Sequence, residues 1–328
     1  MKNNMKVLFI TEKYNGSPEY GLTNNMVNLI GSYKSANLGE YKHLFYSTDQ
    51  GDINTPAELN NALLNEEFDL ALVSPLGPMF PSLEVAEILQ NKLIICWWDT
   101  LFGSFESFIS RDHHHEVNGG IVSTPSLSAY SLYCPNIVFD CGNGEEYKNV
   151  FGLSVPQDLS IYNSLNNNEK DIDISFMGAV KNERGPFIEL LKNNGINVYL
   201  SGGRGANGDN LSFEDYADVI KRSKISLNFN WAYNSPQRKG RIFEIAACGS
   251  FMLSNFPEAL KGKDGYCFED GKHFISFNEN DIVEKVKYWL SHDEEREQIA
   301  NSMHEVYQQK YAPVPWWNNI FKNISKIV

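Results

Sequence analysis

The stretch QRKGRIFEIAACGS, residues 237–250, sets Arg238, Lys239 and Arg241 close ahead of Glu244. Guanidinium forks match the oxygens of a phosphate, and a carboxylate accepts hydrogen bonds from a ribose diol, so cations followed by an acid suit a phosphate joined to a sugar. Ser235 reads as an N-cap and Pro236 as the first helical position. That start puts Arg238 in the first turn, Arg241 one turn on and Glu244 at the next i,i+3 step, toward one side. Cations at a helix N-terminus oppose the macrodipole unless an anion lies among them. The bland alternative is a surface Arg–Glu pair contributing less than about 1 kcal/mol.

Two loops offer related chemistry. Gly178 closes the run DISFMG, and Arg184 and Gly185 precede the next helical stretch. A glycine there admits a ligand to the backbone, and helix N-terminal amides together with Arg184 can meet a phosphate. The run SGGRGANG, which contains Gly202, is rich in glycine but lacks the full dinucleotide and P-loop patterns. Taken alone, each also reads as an ordinary strand-to-helix turn.

Elements that would position these residues recur along the chain. Short apolar β-type runs alternate with helical patterns, which predicts parallel sheets with crossover helices. In the first half the strands are KVLFIT (6–11), HLFYS (43–47), LALVSP (70–75), KLIICWW (92–98), GGIVST (119–124) and NIVFDC (136–141), with a helix on Leu22, Met26, Leu29, Ile30 and Tyr33. An Asn-rich polar stretch, 155–171, reads as a loop or linker. The pattern then restarts with strands DISFMG (173–178), NVYLSGG (197–203), ISLNFN (225–230) and FMLSN (251–255), helices over 185–195 and 213–223, and two helices within 280–311 split near Ser291 and His292. The predicted fold is α/β: two Rossmann-like doubly wound domains, 1–158 and 171–308, facing a cleft, with ligands outside the carboxyl ends of the strands.

Composition narrows the partners. With 28 Lys plus Arg against 41 Asp plus Glu, the net charge of -13 argues against nucleic acid or an anionic membrane as a general partner. The apolar run near the start is too short for a signal core or a spanning helix, which predicts a cytoplasmic protein without a transmembrane segment. Cys96, Cys134, Cys141, Cys248 and Cys267 are odd in number and form no C-x-x-C pair, so they read as reduced and buried.

The order of these features resembles the nucleotide-sugar glycosyltransferases of the GT-B fold, in particular the group 1 family and its branch with a KGR-x-FE-x-x-A-x-G signature, found here from Lys239 to Gly249. The resemblance covers nearly the whole chain. It implies that Gly178 and Arg184 contact the donor diphosphate, that Glu244 holds the donor ribose, and that Gly21 lets the donor phosphate approach. It also implies that Asp99, in CWWDT, lies near the transferred sugar, that CGNGEEYKNVF is the turn before the linker, and that the segment 309–328 packs back on the N-terminal domain.

Departures from the pattern are as informative. The basic residue expected after Gly178 is Ala179, so Arg238, Lys239 and Arg241 would supply the missing charge. The wider family's E-x7-E motif needs a Glu where this chain has Pro236, which removes an expected contact to the donor sugar. No His follows the first strand, leaving Glu12 and Asp99 as acidic candidates for catalysis, and the resemblance leans toward retention of configuration. Three consecutive imidazoles in RDHHHE do not readily converge on one ion, and the family generally binds its donor without one, so the run reads as a polar cleft-facing loop with His113 near the acceptor. Trp98 is an acceptor-side candidate, although tryptophans at strand ends and in the tail also serve packing.

The resulting expectation is a glycosyltransferase that needs no cofactor or metal and moves a sugar from a nucleotide-diphosphate sugar to a hydroxyl on a glycan, a lipid-linked glycan or a protein. A non-catalytic nucleotide- or sugar-binding relative, and a nucleotide-sugar epimerase of the same fold, are the alternatives.

Overall fold

The computed structural model describes residues 5–12, 24–46, 52–75, 77–97, 113–117, 120–139, 149–164, 169–180, 184–201, 211–232, 235–236, 238–262 and 265–324. The chain divides into two compact units, Met1–Val155 with Trp316–Val328, and Pro156–Pro315.

In the first unit the elements run β1 (Val7–Glu12), α1 (Asn24–Ser35), β2 (Tyr41–Tyr46), α2 (Pro56–Asn65), β3 (Leu70–Val73), α3 (Leu83–Leu89), β4 (Leu93–Trp97), β5 (His113–Val117), β6 (Gly120–Thr124), α4 (Leu127–Ser131), β7 (Asn136–Phe139) and β8 (Val150–Leu153). Six of the strands form one parallel sheet in the order β2-β1-β3-β4-β7-β8. Alternation along each strand sends side chains to both faces, which is why the strands read as continuous apolar runs. Leu8, Ile10, Ala71, Val73, Leu93 and Ile95 join one buried cluster, while Val7, Phe9, Leu70, Leu72, Ile94 and Cys96 join the other. Helix α2 starts where it does because Thr55 and Glu58 form a reciprocal capping box with Pro56 at the first position.

The second unit contains β9 (Ile172–Met177), α5 (Arg184–Asn193), β10 (Tyr199–Ser201), α6 (Phe213–Arg222), β11 (Ser223–Asn228), β12 (Trp231–Ala232), β13 (Ser235–Pro236), α7 (Arg241–Ala247), β14 (Met252–Ser254), β15 (Lys261–Gly262), β16 (Gly265–Tyr266), β17 (Ile275–Ser276), α8 (Ile282–Leu290) and α9 (Asp293–Lys310). Its parallel sheet has the order β10-β9-β11-β14-β17. Phe176, Leu227, Phe229 and Leu253 pack on Ile188 and Leu191 of α5 and on Val286 and Trp289 of α8. On α7, every residue from Ile242 to Ala247 is buried.

Helix α10 (Pro313–Ile324) follows and joins the first unit from Trp316 onward. Trp317 is fully buried beside Phe9 and Tyr33, with ring centroids 6.1 Å and 5.1 Å away, and its Nε1 donates to Ser32 Oγ at 2.9 Å. Trp316 Nε1 donates to the Ser154 carbonyl at 2.8 Å. These two tryptophans therefore serve packing.

Several expectations need correction. Residues 119–124 do not add a strand to the parallel sheet: β6 pairs antiparallel with β5 in a separate ribbon, Val117 opposite Gly120. His113 and its neighbours are thus strand rather than loop. The signal was in the sequence, since Asn-Gly at 118–119 between two β-type runs is the dipeptide that favours a two-residue hairpin turn. Strand β8 was hidden because VFGL is short and interrupted by glycine. The described residues 155–164 form no helix or strand, as a loop would, but they are no solvated linker. Val155, Gln157, Ile161 and Tyr162 are buried, and Lys221 Nζ donates to the Ile161 carbonyl at 3.1 Å.

Candidate functional site

Strand β9 ends at Met177, and Gly178 follows with φ of +154° and its N–H on the Ser201 carbonyl at 2.7 Å. Arg241 crosses directly over this turn. Its Nε donates to the Met177 carbonyl, its Nη1 reaches Asn228 Oδ1 at 3.4 Å, and its Cζ lies 4.8 Å from the Phe176 ring centroid. A Cβ on Gly178 would come within 2.2 Å of Arg241 Nη2. The glycine thus makes room for a guanidinium of the same chain, a reason the sequence alone did not reveal.

Arg184, the first residue of α5, folds back so that Nη1 donates to the Ala179 carbonyl at 2.8 Å and Cζ lies 5.6 Å from the same Phe176 ring. Two guanidiniums from separate helices therefore stand around one aromatic ring at the carboxyl end of β9. The ring's negative face favours each cation, while the cations repel one another. An anion beside them would relieve that repulsion.

Asn228 is held for Arg241 by a buried amide network. Its Nδ2 donates to Asn230 Oδ1 at 2.8 Å and to Ser254 Oγ at 2.9 Å, and Asn230 Nδ2 donates to the Asn255 carbonyl at 3.0 Å. The Asn230 N–H donates to Asn255 Oδ1 at 2.7 Å. Asn228, Asn230, Ser254 and Asn255 are all buried, so the loops after β11 and β14 are cross-tied by satisfied polar groups. Sequence reasoning missed these residues. Their signal was the asparagine alternation in ISLNFN, which sets Asn228 and Asn230 on the same side of an otherwise apolar strand.

The predicted start of the signature helix is wrong. Ser235 and Pro236 form β13, opposite Ala232 and Trp231, and α7 begins at Arg241 with Gly240 as an N-cap that lacks a side-chain hydrogen bond. A proline donates nothing to a ladder, so it suits this two-residue edge strand as well as it would suit a helix start. Arg238 and Lys239 consequently precede the helix. Arg238 is only 8% exposed, close enough to the Cys267 thiol to act on it electrostatically. Burial pushes that thiol up, and Arg238 partly offsets the effect.

Glu244 lies one turn into α7 and is 3% exposed. Its Oε2 accepts the Tyr216 hydroxyl at 2.7 Å. Burial, then the Glu244 charge, holds the Tyr216 phenol well above its usual range, with Arg241 acting the other way. The structure thus brings Gly178, Arg184, Arg241 and Glu244 together with Phe176, Tyr216 and Asn228.

In the first unit, Glu12 ends β1 opposite Tyr46, and His113 starts β5 opposite Thr124. Thr11 Oγ1 and His43 Nε2 are 2.7 Å apart, and burial pulls the His43 imidazole down to about 4. Trp97 Nε1 donates to Asn136 Oδ1 at 3.0 Å, and its ring packs on Phe80 and Tyr130. Gly21, Trp98, Asp99, Cys141 and Gly202, with most of CGNGEEYKNVF, lie outside the described residues. The four other cysteines are free and buried, with Cys248 and Cys134 pushed up to about 12 by burial. Among the described residues no cluster of three or more His, Cys, Asp or Glu is placed to hold a metal ion, and no helix is long and apolar enough to cross a membrane.

Comparison with known proteins bears on the same half. Residues 184–322 match the family described as glycosyl transferase-like. No curated protein matches the sequence. Among solved structures, Anabaena HepE in complex with UDP and glucose aligns at a TM-score of 0.58 and 11% identity, over 98% of this chain and 100% of that one. The same protein with UDP-glucose aligns at 0.57 and 10% identity, over 98% and 100%. The N-terminal domain of Candida albicans trehalose-6-phosphate phosphatase aligns at 0.58 and 9% identity, over 99% of this chain and 97% of that one. At these identities the structures speak to fold, and the family match speaks to the half that carries Arg184, Arg241 and Glu244. The chain thus has the GT-B fold, with two parallel-sheet α/β units, and residues 184–322 within it match the glycosyl transferase-like family.

Proposed function

We propose that the chain is a glycosyltransferase that binds a nucleotide-diphosphate sugar at the carboxyl end of β9 and transfers the sugar to an acceptor hydroxyl. The observation that carries this reading is the pair of guanidiniums, Arg184 and Arg241, gathered around Phe176 and Gly178 in a chain of net charge -13. In the reaction the acceptor oxygen bonds to the anomeric carbon as the bond from that carbon to the diphosphate breaks. The electron pair leaves with the diphosphate, and the acceptor proton passes to a phosphate oxygen or a carboxylate. Arg184 and Arg241 stabilise the negative charge that grows on the leaving group, in the role a metal ion fills elsewhere, so the reaction proceeds without one.

Glu244 is assigned to the ribose, and Arg238 and Lys239 add positive potential to the phosphate side. Gly21 and Gly202 admit the donor to the backbone, Asp99 and Glu12 are the acidic groups near the transferred sugar, and His113 and Trp98 face the acceptor. A glycan, a lipid-linked glycan or a protein supplies the hydroxyl, and transfer retains configuration in the cytoplasm. UDP in the HepE complexes makes uridine the first base to try.

The test is calorimetry and thermal shift with UDP, GDP, ADP, dTDP and CMP in metal-free buffer. One diphosphate is expected to bind and raise the melting temperature, because a ligand that favours the folded state stabilises it. Binding by none of them overturns the donor site. Pro236, where the wider family keeps a glutamate, favours a second reading, a binding protein without transfer; donor binding with neither transfer nor hydrolysis decides for it.

A further inference from the structure

Tyr216 lies in α6, away in sequence from the arginines and the glutamate, yet its hydroxyl donates to Glu244 Oε2 at 2.7 Å. We propose that Tyr216 is a positioning residue that aims the Glu244 carboxylate at a ribose diol, so that the site selects ribonucleoside diphosphates over their 2′-deoxy counterparts. The proposal rests on the donor reading above.

Proton inventory fixes the direction of the hydrogen bond. An ionised carboxylate only accepts, whereas a phenol has one proton to give. The Tyr216 proton must therefore go to Glu244 Oε2, at 2.7 Å. The hydroxyl cannot turn away without losing a charge-assisted bond.

The ring that carries this hydroxyl is itself supported. Tyr162, fully buried, meets Tyr216 edge-on with centroids 6.3 Å apart and planes at 77°. Ala217 and Ile220 of α6 are fully buried, which anchors the helix on the unit. On the other side, Ile242 to Ala247 of α7 are all buried, so the backbone under Glu244 is fixed. What remains adjustable is the rotation of the carboxylate, and Tyr216 constrains it.

A diol is recognised by paired bonds to a carboxylate, and such bonds depend on the angle at which the oxygens are presented. Binding at the phosphate end depends instead on charge. Loss of the Tyr216 hydroxyl therefore acts on the 2′-hydroxyl far more than on the nucleotide as a whole.

The experiment is calorimetry on wild type, Tyr216→Phe and Glu244→Gln. Each is titrated with whichever of UDP, GDP and ADP binds tightest to wild type, and with its 2′-deoxy form. Wild type is expected to prefer the ribonucleotide by roughly tenfold, the size of one lost hydrogen bond to a charged group. Tyr216→Phe is expected to bring the ratio within about twofold while binding of the 2′-deoxy form changes little. A preserved ratio, or equal weakening of both nucleotides, overturns the positioning role. If wild type binds neither nucleotide, the donor site itself is wrong. If wild type binds both equally, the ribose assignment of Glu244 falls, and the Tyr216 role with it. Loss of folded protein in a variant lowers the binding stoichiometry for both nucleotides alike, so the ratio still decides.

Discussion

Around the carboxyl ends of β9, β11 and β14 the second unit gathers two guanidiniums, a carboxylate and an amide network. Along β1, β2 and β4 the first unit gathers rings, a buried threonine and one imidazole held neutral by burial. Both sheets are parallel and buried on two faces, so the difference does not come from the backbone. It comes from what each sheet asks of the residues at its end. A site for a charged ligand needs donors fixed in advance, and the cross-ties from Asn228, Asn230 and Asn255 do this. The described part of the first unit is instead organised by apolar contact, including two tryptophans from the far end of the chain.

The contrast is broken most severely from the apolar side. Trp317→Ala removes a fully buried indole that touches Phe9 and Tyr33 and takes away the N–H donor to Ser32 Oγ. Truncations of this kind cost about 3–5 kcal/mol. Chemical denaturation should show that loss, while nucleotide binding persists under conditions where the variant remains folded.

Gly178→Ala attacks the polar side. The new Cβ would meet Arg241 Nη2 at 2.2 Å, at a φ that side chains rarely adopt, so either the turn or the arginine must move. We expect a loss of about 2–3 kcal/mol in denaturation and a clear weakening of diphosphate binding. Full diphosphate affinity in this variant would separate Arg241 from the ligand.

Acid sharpens the comparison from the first unit. His43 has a folded value of about 4 against about 6.5 when unfolded, so the unfolded chain binds a proton that the folded chain refuses. The stability this neutral imidazole supports is intact above about pH 6.5 and is lost as the pH falls toward 4, by about 2 kcal/mol at pH 5. His43→Gln should flatten the melting temperature between pH 7 and pH 5 relative to wild type. An unchanged pH profile would remove His43 as the cause.

The sequence made much of this legible, unevenly and for physical reasons. Runs such as KVLFIT and DISFMG announced buried parallel strands because both faces are apolar, and the helix pair 282–310 announced its break at Ser291 and His292. Gly178, Arg184, Arg241 and Glu244 stood out as candidates from residue type, spacing and the family resemblance. What spacing did not convey was how they are held. Tyr216, Phe176 and Asn228 reach the site from separate elements, so their roles exist only once the sheet has formed. Ser235-Pro236 misled because the same two residues satisfy both a helix start and an edge strand, and local chemistry did not choose between them.

Arg184 gives the smallest expected effect and the cleanest separation of binding from folding. Its guanidinium is only partly buried, and its hydrogen bond to the Ala179 carbonyl lies at the first turn of α5. Arg241, by contrast, fills the space over Gly178 and is tied to β9 and β11, so its removal mixes binding with packing. Arg184→Ala should therefore leave denaturation midpoints almost unchanged and weaken diphosphate binding about tenfold, or about 1.4 kcal/mol. Arg184→Lys should recover only part of it, because a point charge replaces a fork that can engage two phosphate oxygens. Raising the salt concentration should weaken wild type more than Arg184→Ala, since one fewer cation then faces the anion. Equal salt dependence in the two proteins would place Arg184 outside the anion's reach and leave Arg241 to hold the diphosphate alone.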